Sequence, residues 1–204
     1  MTATMPRRVS VLDTTLRDGA QREGISFSIK DKLRIMHKLD ELGVAYIEGG
    51  FAASNPKDAE FFAMARDVEL HHAKVAAFGN TRRAGMAVEE DSGVKAMLVT
   101  GMPVAVIVGK ASLMHVRDVL RTTPDENLNM IRDTIIYLKS EGMEVLFDAE
   151  HFFDGYKLDA DYALETARVA AQAGADCVVL CDTNGGSLPF EIGEIVSKVG
   201  RALP

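Results

Sequence analysis

Leu12-Asp13-Thr14-Thr15-Leu16-Arg17-Asp18-Gly19-Ala20-Gln21 follows a short apolar run, Val9 to Leu12, and leads through Ser28 into a helical stretch. A doubly wound nucleotide-binding sheet would place a glycine-rich phosphate loop here. Leu16 to Ser28 contains no G-x-G-x-x-G. The first strand instead opens onto Asp13, Arg17 and Asp18, and the same happens along the chain. Glu48 follows the second apolar run, Lys110 the fourth, Asp148 and Glu150 the fifth, and Asp182, Thr183 and Asn184 the sixth. Polar groups at the ends of successive strands form a ring on one face, as expected of a TIM-type barrel.

Six apolar runs carry this pattern: Val9 to Leu12, Ala45 to Ile47, Lys74 to Phe78, Val104 to Val108, Glu144 to Phe147 and Cys177 to Leu180. Their hydrophobicity is nearly continuous, as strands of a parallel sheet covered on both faces require. Helical spacing fills the intervals. In Ile29 to Leu42, the side chains of Leu33, Ile35, Met36, Leu39 and Leu42 share one side. Asn55-Pro56 and Thr123-Pro124 read as helix starts, and Glu126 stands at capping-box distance from Thr123. Gly43, Gly101, Gly142 and Gly174 each precede a strand, where a left-handed cap ends the helix. The expected fold is α/β, a parallel (β/α) TIM-type barrel with six of its eight βα units. Residues 1–204 are read as one partial catalytic barrel domain.

Composition narrows the partners. The 204 residues are 47% apolar and 26% charged with a formal charge of -7, so nothing in the chain attracts a polyanion, and Lys and Arg are scattered. Nucleic acid is not an expected partner. The N-terminal residues leave no room for an apolar leader, and no run approaches a membrane span, giving a cytoplasmic expectation with no membrane contact. Cys177 and Cys181 lie in one strand, about 13 Å apart by strand rise, too far for a disulfide. Both are expected to be buried thiols. His71 and His72 precede the third strand and are expected in solvent. Glu89 to Asp91 reads as an exposed helix start.

The LDTTLRDGAQ segment resembles the signature of the isopropylmalate, homocitrate and citramalate synthases, which share a barrel with 3-hydroxy-3-methylglutaryl-CoA lyase. Similar motifs are Ala45-Tyr46-Ile47-Glu48-Gly49-Gly50, Ser54-Asn55-Pro56-Lys57-Asp58, Asp148-Ala149-Glu150-His151-Phe152-Phe153-Asp154-Gly155 and Leu180-Cys181-Asp182-Thr183-Asn184-Gly185-Gly186. The Asn-Pro-Lys-Asp and Glu-His-Phe-Phe-Asp-Gly stretches resemble the longer citramalate synthases in particular. The resemblance implies an acyltransferase that condenses acetyl-CoA with an α-keto acid, pyruvate for citramalate, with isopropylmalate or homocitrate synthesis as the alternative. Phe78 and Val106 to Val108 would size the keto-acid pocket.

By the same resemblance Asp18 is a ligand of a divalent metal, Mg, Mn or Zn, and Arg17 stabilises oxygen that becomes negative. Glu48 would orient or balance Arg17, and Glu150 would face acetyl-CoA or the new hydroxyl. Thr183, with Gln21 and Asn184, would bind substrate. Each residue also has a plainer reading: a surface ion pair for Arg17 and Asp18, a structural partner for Glu48, a turn or helix cap for Thr183 and Asn184, packing around Phe152 and Phe153 for His151. The family's His-x-His pair, its general base and its active-site cap would come from later sequence, so this chain reads as an inactive piece of a homodimeric synthase. Retro-aldol cleavage of a CoA ester, or a catalytically silent folding or interaction module, are the competing functions.

Overall fold

The computed structural model describes residues 9–203. The reading of the N-terminal stretch 1–13 as leaving no room for an apolar leader lies outside them over residues 1–8. Six strands follow in order: β1 Leu12–Asp13, β2 Tyr46–Phe51, β3 Lys74–Asn80, β4 Val104–Lys110, β5 Glu144–Glu150 and β6 Cys177–Leu180. They pair in sequence order β1-β2-β3-β4-β5-β6, and every pairing is parallel. A doubly wound sheet would reverse its strand order at a switch point. This sheet has none, and it curls into six of the eight βα units of a TIM-type barrel, as the ring of polar strand ends predicted.

The helices are α1 Ile29–Leu42, α2 Pro56–Ala65, α3 Ser92–Val99, α4 Leu113–His115, α5 Pro124–Ser140, α6 Phe152–Leu158, α7 Ala160–Gln172 and α8 Pro189–Ala202. None is long and apolar enough to cross a membrane among the described residues. Alternate residues of each strand face opposite sides. Ile47, Val75, Ala77, Ala105, Ile107, Val145 and Phe147 meet the helices in a core with Met36, Phe61, Phe62, Met97, Ile131, Ile135 and Leu138. The inner face holds a smaller cluster of Ala76, Phe78, Val104, Val106 and Leu146. Ile107 therefore belongs to the helix side. Of the expected pocket residues, only Phe78, Val106 and Val108 face inward.

Sequence punctuation accounts for the element ends. Asn55 and Thr123 accept from the N–H three residues on, ahead of first-turn prolines. The four predicted hand-over glycines have φ of 85°, 69°, 86° and 97°. The capping box at Thr123 is only half formed. The Glu126 carboxylate turns away to Arg82 at 2.7 Å and to the Gly85 N–H at 2.9 Å, because a buried guanidinium is the stronger partner. Asp91 differs from the expected exposed run. It is buried as the N-cap of α3 and accepts from Gly93 and Val94, while Glu89 and Glu90 remain exposed.

The cysteine expectation also fails. Cys177 is exposed and Cys181 half-buried, because no further strand covers β6 among the described residues; both thiols are free. His71 and His72 are exposed as predicted, but their backbone N–H groups are not idle. Together with Ala73 they donate to the Asp40 carboxylate of α1 at 2.8 to 2.9 Å, tying the segment before β3 to the helix.

Candidate active site

Arg17 is presented by a tight turn in which the Thr14 carbonyl accepts from the N–H groups of Arg17 and Gly19, and Asp13 accepts from Thr15. Its Nε donates to Glu48 Oε2 at 2.6 Å and Nη1 to Asp18 Oδ1 at 3.1 Å. The guanidinium lies 3.8 Å above the Phe78 ring, a cation–π contact that fixes its plane. Glu48 is fully buried on the inner face of β2, and its Oε1 has no hydrogen-bond partner. Burial pushes the Glu48 carboxyl upward, and Arg17 opposes that shift. Asp18 is 65% exposed at the mouth.

The two glycines after Glu48 are required by packing. A Cβ on Gly49 would lie 2.6 Å from Phe61, and one on Gly50 2.7 Å from the Asp58 carboxyl carbon. Asp58 in turn accepts from the Phe51 N–H and pairs with the buried Lys32. The register between β2 and β3 shifts between Glu48 and Gly50, and such bulges re-aim side chains. Sequence spacing thus seats α2 tightly behind the strand that carries Glu48.

At the other end of the sheet, Asp148 points inward from β5 with a buried Oδ1 that has no partner. Burial first, then the charge of Glu48, raises its pKa to about 7, with Arg17 pulling the other way. Lys110 at the end of β4 is ion-paired with Glu150, so the carboxylate expected to face acetyl-CoA is held by a lysine. Thr183 Oγ1 accepts from the His151 N–H at 2.9 Å, and Asn184 donates to Asp154 at 2.7 Å. Burial, then Asp148 and Glu150, push the Cys181 thiol up to about 12, which favours its protonated form.

Arg17, Asp18 and Glu48 are brought into one contact chain. Glu150, Thr183 and Asn184 gather around β5 and β6. Gln21 stands apart, exposed in a short turn, on the wall of a cavity of about 400 Å³ that Arg17, Lys32, Phe51, Asn55 and Asp58 also line. Asp148 and Lys110 were legible only as polar residues after a strand. The missed signal was strand parity, since Asp148 lies two residues before Glu150 and therefore on the same face. His115, which stacks on His151 with ring centroids 4.2 Å apart, carried no sequence signal at all.

No group of three or more His, Cys, Asp or Glu is placed to hold a metal ion among the described residues. Asp18, solvent-exposed and bound to Arg17, fits one corner of a hard-cation shell and no more.

A sheet of this order, with acidic, basic and hydroxyl side chains at its C-terminal strand ends, defines a TIM-type barrel that keeps its polar residues on one face. The chain belongs to the HMGL-like family, whose model matches residues 8–204. It is 54% identical over 195 residues to the (R)-citramalate synthase of Aquifex aeolicus, covering 96% of this chain and 37% of that protein. Against Sulfolobus acidocaldarius, identity is 50% over 193 residues to the (R)-citramalate synthase, covering 95% of this chain and 37% of that protein. It is 33% over 193 residues to that organism's 2-isopropylmalate synthase, covering 95% and 47%. Hydroxymethylglutaryl-CoA lyase from Pseudomonas aeruginosa superposes with a TM-score of 0.78 at 22% identity, covering 98% of this chain and 66% of that one. The chain thus spans a little over a third of the citramalate synthases it matches, and the lyase likeness establishes the fold alone.

Proposed function

We propose that the protein carrying this chain is an acyltransferase that condenses acetyl-CoA with pyruvate to give citramalate and CoA. The observation that carries this reading is the difference in identity over one and the same region: 50% to a citramalate synthase against 33% to the isopropylmalate synthase of the same organism. The site chemistry is compatible with it. Joining the acetyl methyl carbon to the ketone carbon moves an electron pair onto the ketone oxygen, so fixed positive charge beside that oxygen stabilises the transition state. Arg17 supplies that charge, and Phe78 and Glu48 hold it in place without side-chain freedom.

Asp18 would give one carboxylate oxygen to a divalent Mg, Mn or Zn ion, which, when bound, would polarise the keto acid. Thr183, Asn184 and Gln21 are assigned to substrate, Glu150 to the acetyl-CoA side, and the inward residues Phe78, Val106 and Val108 to the keto-acid side chain. The 1–204 segment serves as part of the catalytic barrel of a cytoplasmic homodimer. The test is CoA release from acetyl-CoA by the full-length protein with pyruvate, 2-oxoisovalerate or 2-oxoglutarate, with and without added divalent metal. Metal-dependent release with pyruvate is expected. Preference for 2-oxoisovalerate or 2-oxoglutarate would reassign the protein to isopropylmalate or homocitrate synthesis, and no release with any keto acid would leave a silent barrel.

A further inference from the structure

His151 is one of two non-glycine residues with positive φ among the described residues, at φ 55° and ψ 34°. Positive φ is uncommon outside glycine, although His enters it more readily than most residues, and it persists where the surroundings fix it. Here the backbone is pinned on both sides: the N–H donates to Thr183 Oγ1 at 2.9 Å, and the carbonyl accepts from Gly155 at 2.8 Å. The pinned turn aims the ring. Nδ1 lies 3.3 Å from Asp154 Oδ2, and that same oxygen is held by Asn184 Nδ2 at 2.7 Å.

A carboxylate only accepts, so the ring nitrogen facing Asp154 carries the hydrogen, and in the neutral imidazole Nε2 is then the nitrogen with the lone pair. Among the described residues, Nε2 has no hydrogen-bond partner. Asn184, Asp154 and His151 therefore form an orienting chain that ends in a proton acceptor, the arrangement general-base catalysis uses. His115 covers the ring face at 4.2 Å, and its own Nδ1 is buried without a partner. Burial, then His151, pushes His115 toward its neutral form, which lets it stack.

His151 directly follows Glu150, the residue assigned above to the acetyl-CoA side. The geometry points to His151, distinct from the general base expected from later sequence, as a base that activates the water hydrolysing the thioester formed by condensation, with Asp154 and Asn184 as positioning residues; this rests on the synthase reading. The water oxygen bonds to the thioester carbonyl carbon, and His151 Nε2 takes one water proton. The C–S bond then breaks with its electron pair on sulfur, and the imidazolium returns that proton to the thiolate. Products are the carboxylate and the CoA thiol, the second water proton going to solvent.

The test uses full-length protein and synthetic citramalyl-CoA as the probe, so hydrolysis is read without the condensation step. His151→Asn is the first variant, since Asn tolerates the left-handed backbone. Asp154→Asn is the second, because it misorients the ring while leaving His151 in place. Both should hydrolyse citramalyl-CoA at a kcat lower by about 100-fold with KM little changed. With acetyl-CoA and pyruvate, both should accumulate citramalyl-CoA, detectable by mass spectrometry after quenching. Wild-type rates of hydrolysis in both variants would overturn the assignment. So would equal loss of condensation and hydrolysis with a raised KM, which marks a purely structural role. Wild-type protein that hydrolyses the probe but never condenses acetyl-CoA with a keto acid would fault the synthase reading instead.

Discussion

Glu48 is fully buried with one oxygen on Arg17 and the other on nothing, so its charge depends on a single guanidinium. Replacing Arg17 by Met keeps volume over Phe78 but strands that carboxylate. Loss of one partner of a buried pair costs about 3 to 5 kcal/mol, and urea denaturation should show a drop of that order. Unchanged stability would mean that Glu48 is already neutral. Asp148 gives the complementary prediction. Its folded pKa is raised from 3.8 to about 7, so the native state binds a proton that the unfolded chain releases. Stability from this group is therefore fully present below about pH 4 and lost as pH rises toward 7, by at most about 1.4 kcal/mol per pH unit. Asp148→Asn should flatten that slope and be more stable than wild type at pH 8. Identical slopes in the two proteins would remove Asp148 as its source. Arg17, Asp18 and Glu48 could be picked out of the sequence because they sit inside distinctive motifs at strand ends. Asp148 is legible only as one polar strand end among several, because nothing in one sequence says that an aspartate after a strand is buried with an orphaned oxygen.

Elements were more legible than side chains, for a physical reason: strand burial and helix amphipathicity each leave a periodic trace, whereas a tertiary partner leaves none. The glycine hand-overs and proline starts are local and came through intact. The Thr123 capping box did not, because Arg82, 44 residues away in sequence, captures Glu126. Asp40 shows the same blindness in the other direction, for nothing near it in sequence announces that it collects three N–H donors from residues 71–73. Burial alone would raise this carboxyl, yet those donors hold it at about 2. A depressed folded pKa means stability that is present above the unfolded value near 4 and lost as pH falls through 2. Asp40→Asn should cost about 2 kcal/mol at neutral pH and shift acid unfolding to be less steep between pH 4 and 2. Hydrogen exchange at residues 71–73 is the local readout, and unchanged protection there would sink the account. The junction of α6 and the segment after β4 is a second weak point. A Cβ at Gly155 would lie 2.4 Å from the Ala111 carbonyl oxygen, and backbone cannot retreat as a side-chain tip can. Gly155→Ala should lower the melting temperature and loosen the pinned turn at His151.

At the scale of the whole molecule, a barrel closes by pairing its first and last strands, and here β1 and β6 do not pair with each other. β6 lends one side to β5, and its other side faces no strand among the described residues. Beside β1, Val9 and Val11 are 80% and 54% exposed, and Cys177 is exposed at the start of β6. Open strand edges with apolar neighbours recruit further strands, whether from elsewhere in a longer protein or from another copy. The 204-residue chain produced by itself has only the second option. Its strands pair in parallel up to both edges, so intermolecular pairing needs no rearrangement of the core. Light scattering coupled to gel filtration should therefore show association that grows with concentration over about 1 to 100 μM, the range in which exposed edges matter. Val11→Lys places a charge beside the β1 edge and should shift the distribution toward monomer without lowering the melting temperature. A wild-type chain that stays monomeric across that range would show that these edges are shielded by something other than strand pairing, and Val11→Lys would then leave its size unchanged.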